Sequence, residues 1–353
     1  MSAETLTLGR AIGRALSDAM DADPAVVLMG EDIGRLGGVF RVTDGLQARF
    51  GADRVIDSPL AESAIVGTAV GMAYRGACPV VEIQFDGFVF PAVDQIVAQV
   101  ARLHYRTHGR VRMPLTIRLP YGGGIGSVEH HGESPEAYFA HTPGLRVVTA
   151  SSPQEAYSTL RAAIASDDPV VFLEPKARYW TKGDVDVAIV RDIESAQVLT
   201  RGRDVTLAAY GSVVQTALEA AAAAVDDGIE IEVIDLRSIS PLDLDAVVAS
   251  VERTGRLVVA HEAPGEASVS SELITSVVER AFASLEAAPE RVTGYDTPYP
   301  PSALESHYLP GLDRILDAVD RTLGRRSSRT LLRHEPSERA RDARPAVLEG
   351  SAR

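Results

Sequence analysis

Short apolar runs alternate with stretches of helical periodicity along most of the chain, and that alternation predicts parallel α/β architecture. In the first half, β-branched and apolar runs mark strands at Val26–Met29, Val80–Phe85, Leu115–Leu119, Val147–Thr149 and Val170–Leu173. Helical patterns fall between them near Glu62–Tyr74, Pro91–Thr107 and Pro153–Ala165. Pro91 and Pro153 suit the first turn of a helix, where the missing N–H costs nothing. From about Glu174 to Arg203 the pattern weakens, and Pro175, Gly183 and Gly202 interrupt it. This stretch predicts an inter-domain connection.

A second alternation follows: strand Val205–Tyr210, helix Val213–Val225, strand Glu230–Ile234, helix Leu242–Arg253, strand Leu257–His261 and helix Val269–Leu285. The alanine-rich stretch Ala217–Ala224 gives one of these helices a strong intrinsic preference. A last helix near Leu312–Leu323 stops at Gly324. Beyond it the chain is polar and unpatterned, which predicts disorder. The division is therefore 1–182 for a first domain, 183–203 for a linker, 204–324 for a second domain and 325–353 for a disordered tail.

Composition narrows the function classes. Two domains of this size bury real cores within 353 residues. No run reaches the roughly 18 apolar residues of a membrane span. The net charge of −14 argues against a nucleic-acid surface. The first residues lack a charged-then-apolar signal pattern, so a cytoplasmic location is expected. A single cysteine, Cys78, excludes an internal disulfide and a thiolate metal cluster. The sequence contains no asparagine, so chemistry that needs an Asn ligand must draw it from another chain.

Three stretches carry candidate chemistry. In SPLAESAIVGTAVG (58–71) a turn enters a helix with Glu62 in its first turn and Gly67 and Gly71 on one face. Glu62 either complements the helix dipole or aims a carboxylate into a cleft, with the glycines admitting another body. In EIQFDGFVFPAVDQI (82–96) a strand end leads into aromatic residues, where open α/β sheets bind ligands. Phe85, Phe88 and Phe90 either face a planar heterocycle or belong to the core. In YGGGIGSVEHHGESPE (121–136) a glycine-rich loop carries His130 and His131 among carboxylates, a pattern suited to proton transfer near neutrality. Phosphate cradling is disfavoured because no Gly-Lys-Ser/Thr follows. Zinc is disfavoured because adjacent histidines rarely share one ion. His104 and His108, spaced i, i+4, read as an exposed helix face.

With their order and spacing, these stretches resemble the β subunits of thiamine-diphosphate-dependent 2-oxoacid dehydrogenases. The resemblance runs from about Arg10 to Leu323. It rests on SPLAESAIVGTAVGMA, EIQFDGFVFPAVDQI, HHGESPEAYFAHTPGLRVV, DPVVFLEPKARYW, IEVIDLRSISPLD and GRLVVAHEAP. The combination EIQF…FPA…DQI, SPEAYFAH and EPK…YW is most similar to the branched-chain (2-oxoisovalerate) members. It implies a transketolase-like fold, with a pyrimidine-binding domain followed by a transketolase C-terminal domain. It also implies assembly of two α and two β chains, an α chain that holds the diphosphate through magnesium, and acyl transfer to a lipoyl acyltransferase core. The Gly-Asp-Gly…Asn motif of the α chain is missing here, as a β subunit requires.

The resemblance also assigns residues. Glu62 is the carboxylate that shares a proton with a ring nitrogen of the aminopyrimidine, so that its imino form takes the thiazolium proton. Leu60, Gln84 and Phe88 surround the pyrimidine, with Phe88 standing where branched-chain relatives often carry Tyr. His131 assists proton transfer or holds the intermediate during acyl transfer, and Glu133 raises its pKa if the carboxylate lies close. Some relatives hold a potassium ion with backbone carbonyls, and the positions here that match theirs are Met113, Leu115, Thr116, Ala163, Ser166 and Asp168. Relatives acting on pyruvate or acetoin, a sugar-phosphate enzyme fragment and a non-catalytic scaffold are the other readings.

Overall fold

The computed structural model describes residues 3–325. Except for Arg325, the tail expected from 325 onward lies outside the described residues.

The first half builds a seven-stranded sheet from β2 (Val26–Gly30), β3 (Val55–Asp57), β4 (Cys78–Glu82), β5 (Thr116–Tyr121), β6 (Arg146–Thr149), β7 (Val170–Pro175) and a strand lent by the second half. β1 (Glu4–Thr7) pairs antiparallel with β8 (Lys182–Val185) in a separate ribbon. In β5 and β7 every residue is buried, as expected where helices cover both faces of a parallel sheet. Neighbouring strands place Glu82, Arg118 and Glu174 together, and the Arg118 guanidinium donates to both carboxylates. Tyr179 donates to Glu174 at 2.6 Å. A charge buried in a sheet survives only when paired in this way.

The second half builds a five-stranded sheet from β9 (Gln197–Thr200), β10 (Val205–Ala209), β11 (Ile231–Asp235), β13 (Leu257–Pro264) and β14 (Glu290–Gly294), in the order β14-β13-β10-β11-β9. Helices Val213–Ala224, Leu244–Thr254, Val269–Ala281 and Leu312–Thr322 pack around it. The short strand β12 (Ser238–Ser240) leaves this domain and pairs antiparallel with β6, at the edge of the first sheet. One buried apolar cluster runs across the junction, from Ile117 and Tyr121 to Tyr210, Ile239 and Val247.

The helix Glu62–Tyr74 has the span the periodicity predicts. The single helix expected over Pro91–Thr107 does not form. Its place is taken by a 3-10 turn at Asp86–Ala92, a π-helical turn at Gln95–Val100 and a short helix at Leu103–Arg106. Pro91 lies inside the 3-10 turn, whereas Pro153 opens its helix as expected. The stretch read as a linker carries β8 and β9, each paired to another strand.

Candidate active site

Three neighbouring segments form the candidate site. The first is the start of helix Glu62–Tyr74. Ala61 is its N-cap and offers no side-chain cap, so Glu62 in the first turn provides the helix entrance with its negative charge. Glu62 is 7% exposed, while Leu60 beside it is 76% exposed. Among the described residues no hydrogen bond reaches the Glu62 carboxylate. Glu31, just beyond the end of β2, feels its charge. Burial, then the charges of Glu62 and Asp32, raise the Glu31 pKa. The Glu31 Oε1 atom is buried and has no partner. A buried acceptor without a donor is costly, so this pair of carboxylates suits a ligand that brings donors.

The second segment is the 3-10 turn Asp86–Ala92, tied to the helix where Ser63 Oγ donates to the Pro91 carbonyl. It carries Phe88, half-buried, with Gln84 just ahead of it and also half-buried. The third is the glycine-rich loop, whose turn Glu129–His131 packs against Asp86–Ala92. His131 stacks on Phe85 with centroids 4.1 Å apart and an interplanar angle of 26°, and meets Phe88 edge-on at 5.0 Å. Its Nδ1 lies 3.0 Å from the His130 carbonyl oxygen. A carbonyl only accepts, so Nδ1 carries the proton and Nε2 presents its lone pair. Burial lowers the His131 pKa, and the charges of His130 and Lys176 lower it further. This corrects the expectation that Glu133 would raise it. The backbone N–H of Glu133 is engaged by Asp86 at 2.7 Å, and its own carboxyl is pushed up by burial.

The second domain grips the same loop. Glu262 Oε2 accepts the Gly123 N–H at 2.9 Å, and Ser212 Oγ donates to its other oxygen. Glu305 accepts from the N–H groups of Gly124 at 2.9 Å and Gly126 at 3.1 Å. A Cβ on Gly123 would fall 1.8 Å from the Tyr299 hydroxyl, so the close approach requires glycine.

Residues 4–181 match the family model "Transketolase, pyrimidine binding domain" and residues 194–315 match "Transketolase, C-terminal domain". The chain is 55% identical over 321 residues to "Pyruvate dehydrogenase E1 component subunit beta" of Leifsonia xyli, covering 91% of this chain and 95% of that one. It is 52% identical over 322 residues to "3-methyl-2-oxobutanoate dehydrogenase subunit beta" of Mycobacterium tuberculosis, covering 91% and 92%. The chain belongs to the β subunits of 2-oxoacid dehydrogenases. Among solved structures, the fold of this β subunit matches a split-gene transketolase, titled an inactive beta4 tetramer, with a TM-score of 0.76 at 22% identity over 90% of this chain and 98% of that one. The expected transketolase-like, two-domain α/β fold is thereby shown. The family implies thiamine diphosphate as cofactor.

Of the residues expected in the β subunit's site, Glu62 and Leu60 share one helix entrance, and Phe88 and His131 meet in the aromatic cluster. Gln84 lies between β4 and that cluster. The two segments expected to hold potassium do run side by side. Met113 N–H donates to the Asp167 carbonyl at 3.1 Å, and Val170 N–H to the Leu115 carbonyl at 3.0 Å. The carbonyls of Met113, Leu115 and Ala163 each already accept a backbone N–H, with one lone pair left. Thr116 lies in β5, Ser166 follows the helix Pro153–Ile164, and the Asp168 carboxylate meets Arg146 at 3.1 Å. Among the described residues no cluster of three or more His, Cys, Asp or Glu could hold a metal. No helix there is long and apolar enough to cross a membrane.

Sequence reasoning missed Glu31, Asp86, Lys176 and Glu262. Glu31 was open to discovery, because it follows the end of a predicted strand, the position where such sheets bind ligands. Lys176 and Glu262 lie inside the motifs DPVVFLEPKARYW and GRLVVAHEAP, but their roles were hidden because they arise from contacts between distant segments.

Proposed function

We propose that the chain is the β half of a two-chain enzyme. Together with an α chain it decarboxylates a branched-chain 2-oxoacid and passes the acyl group to the lipoyl group of an acyltransferase core. The observation that carries this reading is the helix entrance itself: a buried carboxylate, Glu62, beside a largely exposed leucine, Leu60. A lone chain gains nothing by leaving such a leucine in water. Further along the same helix Ala64, Thr68 and Gly71 are exposed, giving an outward face of small residues that suits a partner.

The residues fit the implied cofactor. Glu62 would share a proton with the aminopyrimidine ring, Leu60 and Phe88 would enclose the ring, and Gln84 and the free Glu31 Oε1 would offer polar contacts. When bound, the cofactor supplies the carbanion chemistry and electron sink that decarboxylation needs. The chain's own part is orientation, exclusion of water and proton handling. His131 presents Nε2 as an acceptor and, with its pKa lowered, enters the reaction neutral. The diphosphate and its magnesium fall to the α chain, because this sequence has neither the Gly-Asp-Gly…Asn motif nor any asparagine.

Pyruvate is the second reading for the substrate, favoured by the name of the Leifsonia relative. The motif combination EIQF…FPA…DQI with EPK…YW supports the branched-chain reading, as do the relatives named for 3-methyl-2-oxobutanoate and 2-oxoisovalerate. Co-expression with the α chain and a panel of 2-oxoacids decides between them. Turnover should be fastest with 2-oxoisovalerate. Turnover by the β chain alone would overturn the split site, and a pair inert towards every 2-oxoacid would overturn the class. Potassium on the carbonyls of segments 113–116 and 163–168 is part of the proposal. It predicts a higher melting temperature in potassium than in sodium chloride at equal ionic strength, because ligand binding to the native state stabilises it.

A further inference from the structure

Beneath the His131 turn lies a pair of charges that no cleft exposes. Asp86 and Lys176 are 1% and 0% exposed, and Lys176 Nζ donates to Asp86 Oδ1. Replacing such a pair by apolar residues is often neutral or stabilising, so stability alone is a poor reason for it. Several of its contacts lead to the histidine. The second oxygen of Asp86, Oδ2, accepts the N–H of Glu133, two residues beyond His131, at 2.7 Å. The residue before Asp86 is Phe85, on which the imidazole stacks at 4.1 Å. The residue after it is Gly87, where a Cβ would lie 2.1 Å from the His130 carbonyl oxygen. Lys176 Nζ stands 5.7 Å from the centre of the Phe85 ring.

We propose that Asp86 and Lys176 are positioning residues for His131, holding its loop down on the Phe85 ring so that the imidazole faces the reacting acyl group. The proposal rests on the reading of His131 as a proton-transfer group. Asp86 anchors the loop past the histidine, and Phe85 supports the ring itself. Without the carboxylate, the Glu133 N–H has no partner and the turn is free to lift. A misplacement of about 1 Å costs on the order of a hundredfold in rate. Lys176 acts in a second way. The ionisable groups around the imidazole are His130, Glu129 and Glu133 on its own loop, Asp86 on the turn beneath, and Lys176 after β7. Of these, the charges of His130 and Lys176 add to burial in holding His131 below its ordinary value.

The test uses the chain assembled with its α partner and follows acyl transfer with a 2-oxoacid and lipoyl domain. Asp86→Ala should lower kcat by roughly a hundredfold with KM little changed. Asp86→Asn keeps an oxygen for the Glu133 N–H and should recover most of that loss. The double variant Asp86→Ala/His131→Ala should be no slower than His131→Ala alone, because a residue that acts through another adds nothing once the other is gone. In Asp86→Asn/Lys176→Met, which removes both charges without emptying the space, the acid limb of the kcat profile should move to higher pH. Wild-type turnover in Asp86→Ala overturns the proposal, and so do losses that multiply in its double variant with His131→Ala. If Asp86→Ala does not assemble, the same cycle is run with Asp86→Asn/Lys176→Met, and wild-type turnover there, or losses that multiply with His131→Ala, overturns the proposal. Wild-type turnover in His131→Ala would overturn the reading of the histidine itself, and this role with it.

Discussion

Glu62 is buried at a helix entrance without a hydrogen-bond partner among the described residues, beside a second carboxylate, Glu31, whose pKa is raised. Glutamine has the same shape but carries no exchangeable acid proton. Glu62→Gln should therefore lower kcat of the assembled enzyme by roughly 10²–10⁴-fold, the usual worth of a positioned proton-transfer group. The melting temperature should stay level or rise slightly, since one of two like charges is gone. Steady-state kinetics and a thermal melt on the same preparation check both halves, and unchanged turnover would remove the half-site. Glu62 and His131 were legible in the sequence because each lies inside one continuous motif. Asp86 and Lys176 also lie inside such motifs, but their pairing was not legible, because they stand 90 positions apart along the chain and only the fold brings them together.

Elements were legible where burial follows one period. The helix Glu62–Tyr74 and the strands of both sheets show a single clear pattern. The helix Leu8–Ala22 shows one too, burying Leu8, Ala11, Ile12, Ala15, Leu16, Ala19 and Met20, yet the predicted elements begin only at Val26. The stretch Asp86–Arg106 was not legible as built, because it changes from 3-10 to π to α geometry within about twenty residues, and no single period describes it. β12 was invisible for another reason: three residues carry no pattern. Its position depends on Arg237, 2% exposed and placed just before it with a positive φ of 55°. The Arg237 guanidinium donates to Glu155 Oε2 at 2.6 Å and to the carbonyls of Ser195 at 2.7 Å and Asp192 at 3.0 Å. It thus joins the helix Pro153–Ile164, the connection before β9 and the edge of the first sheet. Arg237→Ala would leave Glu155 buried with only the half-exposed Arg191 as partner. A loss of about 3–5 kcal/mol is expected, the cost of breaking a buried pair on one side. Denaturant unfolding measures it, and a loss below about 1 kcal/mol would show that Arg237 does not hold the junction.

At the scale of the whole molecule, the two domains meet through buried and half-buried carboxyl groups bonded across the seam. Tyr210 donates to Glu136 at 2.7 Å, Ser151 to Asp235 at 2.5 Å, and the Gly123 N–H to Glu262 at 2.9 Å. Burial is the first cause of the shift in all three, lifting Glu136 to about 6 and Asp235 and Glu262 to about 7. In the unfolded chain the same groups lose their protons near 4.5 for Glu and 3.8 for Asp. Between about pH 4.5 and 7 the folded protein therefore holds more protons than the unfolded one, and stability must fall as pH rises through that window. His261 opposes this. Burial drops it to about 3 from an ordinary 6.5, so below 6.5 the unfolded chain gains a proton that the fold refuses. Asp86, also lifted to about 6 by burial, adds a fourth raised carboxyl, and His131, also lowered, joins His261. The raised carboxyl groups outnumber the lowered imidazoles, so the melting temperature should rise as pH is lowered from 8 to about 5.5. Glu262→Gln keeps an oxygen for the Gly123 N–H and removes one titrating group. It should melt higher than the parent at pH 8 and show a shallower dependence on pH, by at most about 1.4 kcal/mol per unit for the proton removed. A parent protein that melts at higher temperature as pH rises across this range would show that the seam does not carry these protons. Because Glu262 grips the loop that bears His131, the same titration reaches the site. A variant flattened in its pH–stability curve but unchanged in turnover would separate the seam's contribution to folding from its contribution to the loop.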